Sequence, residues 1–344
     1  MQRGCYTALI TPFAGGAIDD AGLRRLVNFQ IDNGITGILA VGTTGESPTL
    51  TWEEHNRVIE MVAGMSRGRC QCIAGTGSNN TAETLEGTRH AAAAGVDAVL
   101  LVDPYYNGPS SLEIRREYVA PVAQTFPDLE VIPYVIPGRT GAQLLAEDLA
   151  LLYRRCANVN TVKEATGDLD NMRRIRHCCG ADYTILSGDD ALTFEMMTDP
   201  AIGAAGVISV VSNVVPRAVV EMVSRLNGGD RAGAASLHEA LAPLFDLVTV
   251  KTRETTPWGE VVCRARNPLA IKTLMTILGM PSGACRRPLG RMTARGLEVV
   301  LAAARQVQAR HPEIFAPVAE FFRVDIAARL ADPASWRGLA YADY

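Results

Sequence analysis

Short apolar runs rich in β-branched residues recur at regular intervals along the chain, at 6–10, 37–41, 72–75, 98–102, 131–135, 160–163, 184–186 and 206–210. Between most of them the apolar positions change to the three-and-four spacing of a helix with one buried face, at 23–33, 51–65, 81–94, 144–154 and 169–178. Strands alternating with helices predict parallel β-α-β units. The strands are nearly continuous in apolar character, as expected for a sheet covered on both sides. Eight such units over residues 1–225 predict a (β/α)8 TIM barrel. An open doubly wound sheet is the alternative. It is disfavoured because the first strand–helix turn carries no Gly-x-Gly-x-x-Gly, and no nucleotide fingerprint occurs elsewhere.

Beyond residue 226 the strand pattern stops. The pattern predicts a helix over 230–250, interrupted near Pro243, a second over 267–278 and a third over 293–310, with 251–266 as an irregular connection. These make a C-terminal helical region, 226–311. The last stretch, 312–344, contains Phe315, Phe321, Phe322, Trp336, Tyr341 and Tyr344. So many aromatic side chains predict an extension that docks on a surface rather than remaining solvated.

Composition narrows the function classes. The chain of 344 residues has a net charge of −4 and no long basic run, which argues against a nucleic-acid partner. No apolar run approaches a membrane span, and the N-terminal apolar run is too short for a signal peptide. The eight cysteines include Cys70, Cys72, Cys178 and Cys179 but no Cys-x-x-Cys. The five histidines are scattered, so zinc-ligand spacing is lacking and no metal is expected. Reduced thiols and a cytoplasmic location follow as expectations.

Charge usage points to the chemistry. The chain has only three lysines, Lys163, Lys251 and Lys272, against thirty arginines. Arg remains protonated at any working pH, whereas a desolvated Lys can become a neutral nucleophile toward a carbonyl. Lys163 ends the sixth strand. In a barrel of this kind the C-terminal strand ends form the site. The other strand ends carry Gly42-Thr43-Thr44-Gly45-Glu46, Asp103-Pro104-Tyr105-Tyr106-Asn107, Tyr134 through Gly141 with Arg139, Ser187-Gly188-Asp189-Asp190, and Gly206-Val207-Ile208-Ser209. One amine, three phenols, one guanidinium and several hydroxyls, with no His or Cys, suit Schiff-base chemistry on a carbonyl substrate. A snorkelling Lys at a strand end, a plain Thr-Thr-Gly loop and a Tyr-Tyr packing pair are the structural alternatives, each weaker because all arrive on one rim.

These motifs, with Gly75-Thr76-Gly77, Arg139-Thr140-Gly141 and Lys163-Glu164-Ala165-Thr166-Gly167, occur together and in order over residues 4–225. In this the chain resembles the dihydrodipicolinate synthases, of the superfamily that includes N-acetylneuraminate lyase. The resemblance implies that Lys163 forms a Schiff base with pyruvate, with no other cofactor. The enamine then attacks the aldehyde of aspartate semialdehyde and the adduct cyclises. It implies Tyr134 as the proton-shuttling phenol, and Thr44 as a relay to Tyr106, supplied by a neighbouring subunit. Thr43 and Thr44 would bind the pyruvate carboxylate, Gly188 and Ile208 would offer backbone contacts, and Arg139 would hold the carboxylate of the second substrate. It also implies a homotetramer built as a dimer of dimers, and a lysine-inhibition site at Ser47, Trp52, His55, Asn79, Glu83 and Tyr105. The chain departs from the family pattern at Val135, where Asn is usual, and in its length beyond residue 311. Val135 keeps open another pyruvate-dependent aldolase or dehydratase of the same superfamily. A barrel that binds small acids without turnover is the remaining reading, and the intact Lys, Tyr and Thr set speaks against it.

Overall fold

A computed structural model describes residues 1–344. Eight parallel strands close into a barrel: β1 Gly4–Ala8, β2 Gly37–Ala40, β3 Gln71–Gly75, β4 Ala98–Val102, β5 Glu130–Val135, β6 Thr161–Glu164, β7 Thr184–Ser187 and β8 Gly206–Ser209. Neighbours in sequence are neighbours in space, and β1 pairs with both β2 and β8 to complete the ring. At the seam Gly206 has φ +154, and a Cβ there would stand 1.8 Å from the carbonyl oxygen of Gly4. Only glycine admits that approach. The first strand lies two residues earlier than the sequence pattern predicts, and the other seven fall within a residue or two of expectation.

Strand parity divides the apolar residues into two cores. Eleven buried residues, among them Tyr6, Leu39, Ile73, Leu100, Ile132, Tyr134, Leu186 and Ile208, fill the barrel interior. The larger core lies between the barrel and its helices and continues into the C-terminal helices as far as Leu330. Its helices begin where the sequence places caps. Thr51 and Glu54 form a reciprocal capping box that starts Trp52–Ser66, Asn80 caps Thr81–Ala94, and Asp168 caps Leu169–Cys179.

The C-terminal region differs from expectation in two places. Residues 251–266 are not irregular: Thr249–Thr256 (β9) and Gly259–Arg266 (β10) form an antiparallel hairpin around Pro257 and Trp258. Thr249, Val250, Thr252, Thr255, Thr256, Val261 and Val262 supply β-branched character, but interleaved charges conceal it. Pro243 does not break its helix, which runs Arg231–Phe245 and ends in a short 3-10 turn, Asp246–Val248. Helices Leu269–Ile277 and Ala294–Arg310 occur as expected. The aromatic extension docks on its own barrel: Phe29, on helix Asp20–Asp32, packs at 5.3 Å from Phe321 and 5.1 Å from Phe322, ring centre to ring centre.

Candidate active site

The candidate site is built on the register of β5 and β6, which sets Tyr134 directly beside Lys163. Both side chains point into the barrel mouth. Lys163 is 4% exposed, and its Nζ lies 4.0 Å from the centre of the Tyr134 ring. Burial lowers the Lys163 pKa to about 7. The Asp190 carboxylate opposes that fall and the Arg139 guanidinium adds to it. A large fraction of Lys163 is therefore a neutral amine near pH 7, poised to attack a carbonyl carbon. Tyr134 is pushed up to about 12 by burial, against the pull of Arg139 and of the Thr43 hydroxyl. It remains a protonated phenol, able to donate.

Gly188 explains the fit around the amine. A Cβ at this position would stand 2.8 Å from Cβ of Ala165 and 3.1 Å from Cε of Lys163. Its N–H donates to the Glu164 carbonyl at 2.7 Å, which holds the β7 end against β6. Ile208 is buried in the barrel interior, in the same cluster as Tyr134 and Leu186. Asp190 is fixed by the Ser209 hydroxyl and by the Val210 N–H at 2.8 Å, and burial raises its pKa to about 6.

The loop after β2 carries Thr43, half-buried, and Thr44, buried. Thr44 Oγ1 accepts a hydrogen bond from Nδ2 of Asn267 at 2.9 Å. The Asn267 carbonyl accepts from Arg139 at 3.4 Å, and its Oδ1 is buried without a partner. Glu46, in the left-handed region at φ +58, is buried in an ion pair with Lys272 at 2.6 Å and accepts from the Arg286 N–H at 2.8 Å. Sequence reasoning missed Asn267, Glu46 and Lys272 in these roles. Their partners lie more than two hundred residues away in the chain, and no local spacing signals such a contact.

A cleft of about 350 Å3 opens over the site, lined by Thr43, Tyr134, Arg139 and Thr140. It continues without interruption to Ser47, Trp52, His55, Glu83 and Tyr105. Five of the six residues expected to line a regulatory site thus share one cleft with Thr43, Tyr134 and Arg139. Asn79 is exposed and not among the lining residues. His55 is buried against the edge of Trp52, with its pKa lowered by burial to about 4. Tyr106 is not brought to the site: it is 90% exposed and holds φ +78.

Val135 also departs from expectation. Adjacent to Tyr134 on β5, it has the opposite parity and is buried in the outer core, among the helices. The expected loss of a polar group near the substrate does not occur, because that position faces away from the barrel mouth.

Residues 1–307 match the dihydrodipicolinate synthetase family. The chain belongs to that family. It is 40% identical over 298 residues to the 4-hydroxy-tetrahydrodipicolinate synthase of Syntrophus aciditrophicus strain SB, covering 87% of this chain and 96% of that one. The 4-hydroxy-tetrahydrodipicolinate synthase of the methanotroph Methylacidiphilum fumariolicum SolV superposes with TM-score 0.82 at 36% identity, over 93% of this chain and 99% of that one. A chain characterised as the first monomeric dihydrodipicolinate synthase variant superposes with TM-score 0.80 at 31% identity, over 89% and 97%. The family match ends at residue 307, before the aromatic extension of 312–344 begins.

Proposed function

We propose that the protein condenses pyruvate with L-aspartate 4-semialdehyde to 4-hydroxy-tetrahydrodipicolinate, a lyase step of the route to diaminopimelate and lysine. The observation that carries the reading is the buried Lys163, its amine held near neutrality against the Tyr134 ring at the C-terminal end of the barrel.

In this reading Nζ of Lys163 attacks C2 of pyruvate, water leaves, and an imine forms. Loss of a proton from C3 gives the enamine, whose C3 forms the new carbon–carbon bond to the semialdehyde carbonyl. The substrate's own amine then attacks C2 and releases Lys163, closing the ring. Tyr134 donates and retrieves protons at the imine. Thr43 and Thr44 bind the pyruvate carboxylate, and backbone at Gly188 and Ile208 borders it. Arg139, lining the cleft, offers the planar fork that suits the second carboxylate. Thr44 passes protons on to Tyr106 of a second subunit, and the exposure of Tyr106 supports that role. A tetramer made of two dimers accommodates the exchange. The amine is the covalent catalyst, so the reaction calls for no cofactor. Ser47, Trp52, His55, Asn79, Glu83 and Tyr105 form a lysine-inhibition site, with the Glu83 carboxylate facing the ligand ammonium. Such a biosynthetic enzyme would work in the cytoplasm. No helix is long and apolar enough to cross a membrane. The outward direction of Val135 removes the main support for a different aldehyde.

Incubation with pyruvate and borohydride, followed by intact-mass measurement, tests the reading. A reduced pyruvyl adduct is expected on the wild type and not on Lys163→Ala, with turnover then following addition of aspartate semialdehyde. A folded wild type that takes up no pyruvyl group would sink the proposal.

A further inference from the structure

The β9–β10 hairpin starts at the site. Beside its base, Arg266 donates to the Gly138 carbonyl at 3.0 Å while Arg139 donates to the Asn267 carbonyl at 3.4 Å, so the two loops clasp each other and bring two guanidinium groups to one mouth. One face of the hairpin is anchored. Val250 is buried on it, Thr252 meets Thr293, and Glu254 approaches Arg295, all at the start of helix Ala294–Arg310. Strand parity places Arg266, Arg264 and, directly across from Arg264, Lys251 on the opposite face, followed by Arg253.

That face is open: Lys251, Arg253 and Arg264 are all exposed. Arg253 is answered by Glu260 at 3.6 Å. Lys251, Arg264 and Arg266 have no acidic partner within ion-pair distance. Like charges directly opposite each other disfavour strand pairing, so this arrangement does not serve the hairpin's own stability. At about 3.3 Å per residue, Arg264 stands about 7 Å along the strand from Arg266, and Lys251 lies beside it. The protein as a whole carries a net charge of −4, and a local cationic track therefore stands out against a repulsive background for anions.

We propose that this face of the hairpin, from Lys251 and Arg264 to Arg266 at the mouth, is an electrostatic approach that concentrates small carboxylate anions at the site entrance. The inference rests on pyruvate being the first substrate. Pyruvate carries one net negative charge and is drawn in. Aspartate semialdehyde carries an ammonium beside its carboxylate, has no net charge, and is not. The track thus acts on one substrate of the pair, which gives the test an internal control.

The test compares wild type, Lys251→Gln/Arg264→Gln and Arg310→Gln, which removes a charge at the far end of helix Ala294–Arg310. The rate of borohydride-trapped adduct formation at limiting pyruvate, and kcat/KM for each substrate, are measured at about 0.02 M and about 0.5 M salt, where charges on the surface are weakly and strongly screened respectively. At low salt the double variant should form adduct about three- to tenfold more slowly than wild type, a modest case of electrostatic focusing. At high salt the difference should vanish. The semialdehyde kcat/KM and the Arg310→Gln variant should be unmoved. Equal trapping rates at low salt in wild type and double variant overturn the inference, as does a loss that persists at high salt or falls equally on both substrates. A wild type that forms no adduct overturns the functional reading and this inference with it, and so is distinguished from failure of the inference alone.

Discussion

The Lys163 amine is tuned by two charges and a desolvated pocket that meet on one side chain. Burial lowers the Lys163 pKa to about 7, Asp190 holds it up, and Arg139 pushes it further down. In the folded protein the group loses its proton near pH 7, and in the unfolded chain only near about pH 10.4. Between those values the unfolded chain binds the extra proton, so this group's contribution to stability rises with pH. In the proposed reaction only the free amine attacks, so activity should rise through the same folded value. Asp190→Asn removes the group that raises the pKa, so the acid limb of the trapping rate with pyruvate alone should move to lower pH. Arg139→Gln removes a group that lowers it, so the limb should move to higher pH. That variant should also raise KM for the semialdehyde by about tenfold to a hundredfold, the cost of a lost charged hydrogen bond. Shifts of the same sign in both variants would refute this account of the amine. Lys163 was legible in the sequence as the one lysine at a strand end, whereas Tyr134 was one of three tyrosines on that rim and only the family resemblance singled it out. Asn267 was not, since nothing near it in the chain announces its bond to Thr44.

The loop after β2 depends on an element from the other end of the chain. Glu46 sits three residues from Thr43 in a backbone conformation unusual for a non-glycine residue, and its carboxylate is neutralised by Lys272 on helix Leu269–Ile277. Removing one partner of a buried pair leaves the other charge uncompensated, at a cost of about 3–5 kcal/mol, whereas replacing both is far milder. Glu46→Gln should therefore lower the urea midpoint strongly and raise KM for pyruvate through the displaced threonines. Glu46→Gln combined with Lys272→Met should restore most of the stability. A single variant within about 0.5 kcal/mol of wild type, the range of ordinary surface changes, would mean that the pair does not hold the loop. At this scale the eight barrel strands were readable, because buried parallel strands are apolar throughout. The β9–β10 hairpin was not: one face meets a single helix, the other is charged, and the alternation is diluted by Arg, Lys and Glu. Pro243 misled for a related reason, since tertiary packing keeps its helix continuous.

At the scale of the whole molecule, the exposed Tyr106 sets the question of assembly. A large aromatic side chain that is 90% exposed, on backbone at φ +78, gains nothing from the rest of its own chain. Strain of that kind is retained where something else uses it. Other large aromatic groups are packed by the chain itself: Phe29, Phe321 and Phe322 lie together, and Phe315 is fully buried. In the proposed reaction the relay from Tyr134 through Thr44 ends at Tyr106 of a second subunit, and the exposure of Tyr106 supports that role. Complementation between two inactive variants checks this directly. Lys163→Ala keeps its Tyr106 but has no amine, and Tyr106→Phe keeps its amine but has no relay phenol. Each alone should be strongly impaired. Unfolded together and refolded as a mixture, they should form hybrid assemblies in which the Tyr106→Phe subunit's amine meets the partner's phenol. Random pairing in a two-fold symmetric dimer completes about one site in four, and activity should recover toward that fraction. If the phenol acted within its own chain, no hybrid would contain a complete site, and the mixture would be no more active than its two components.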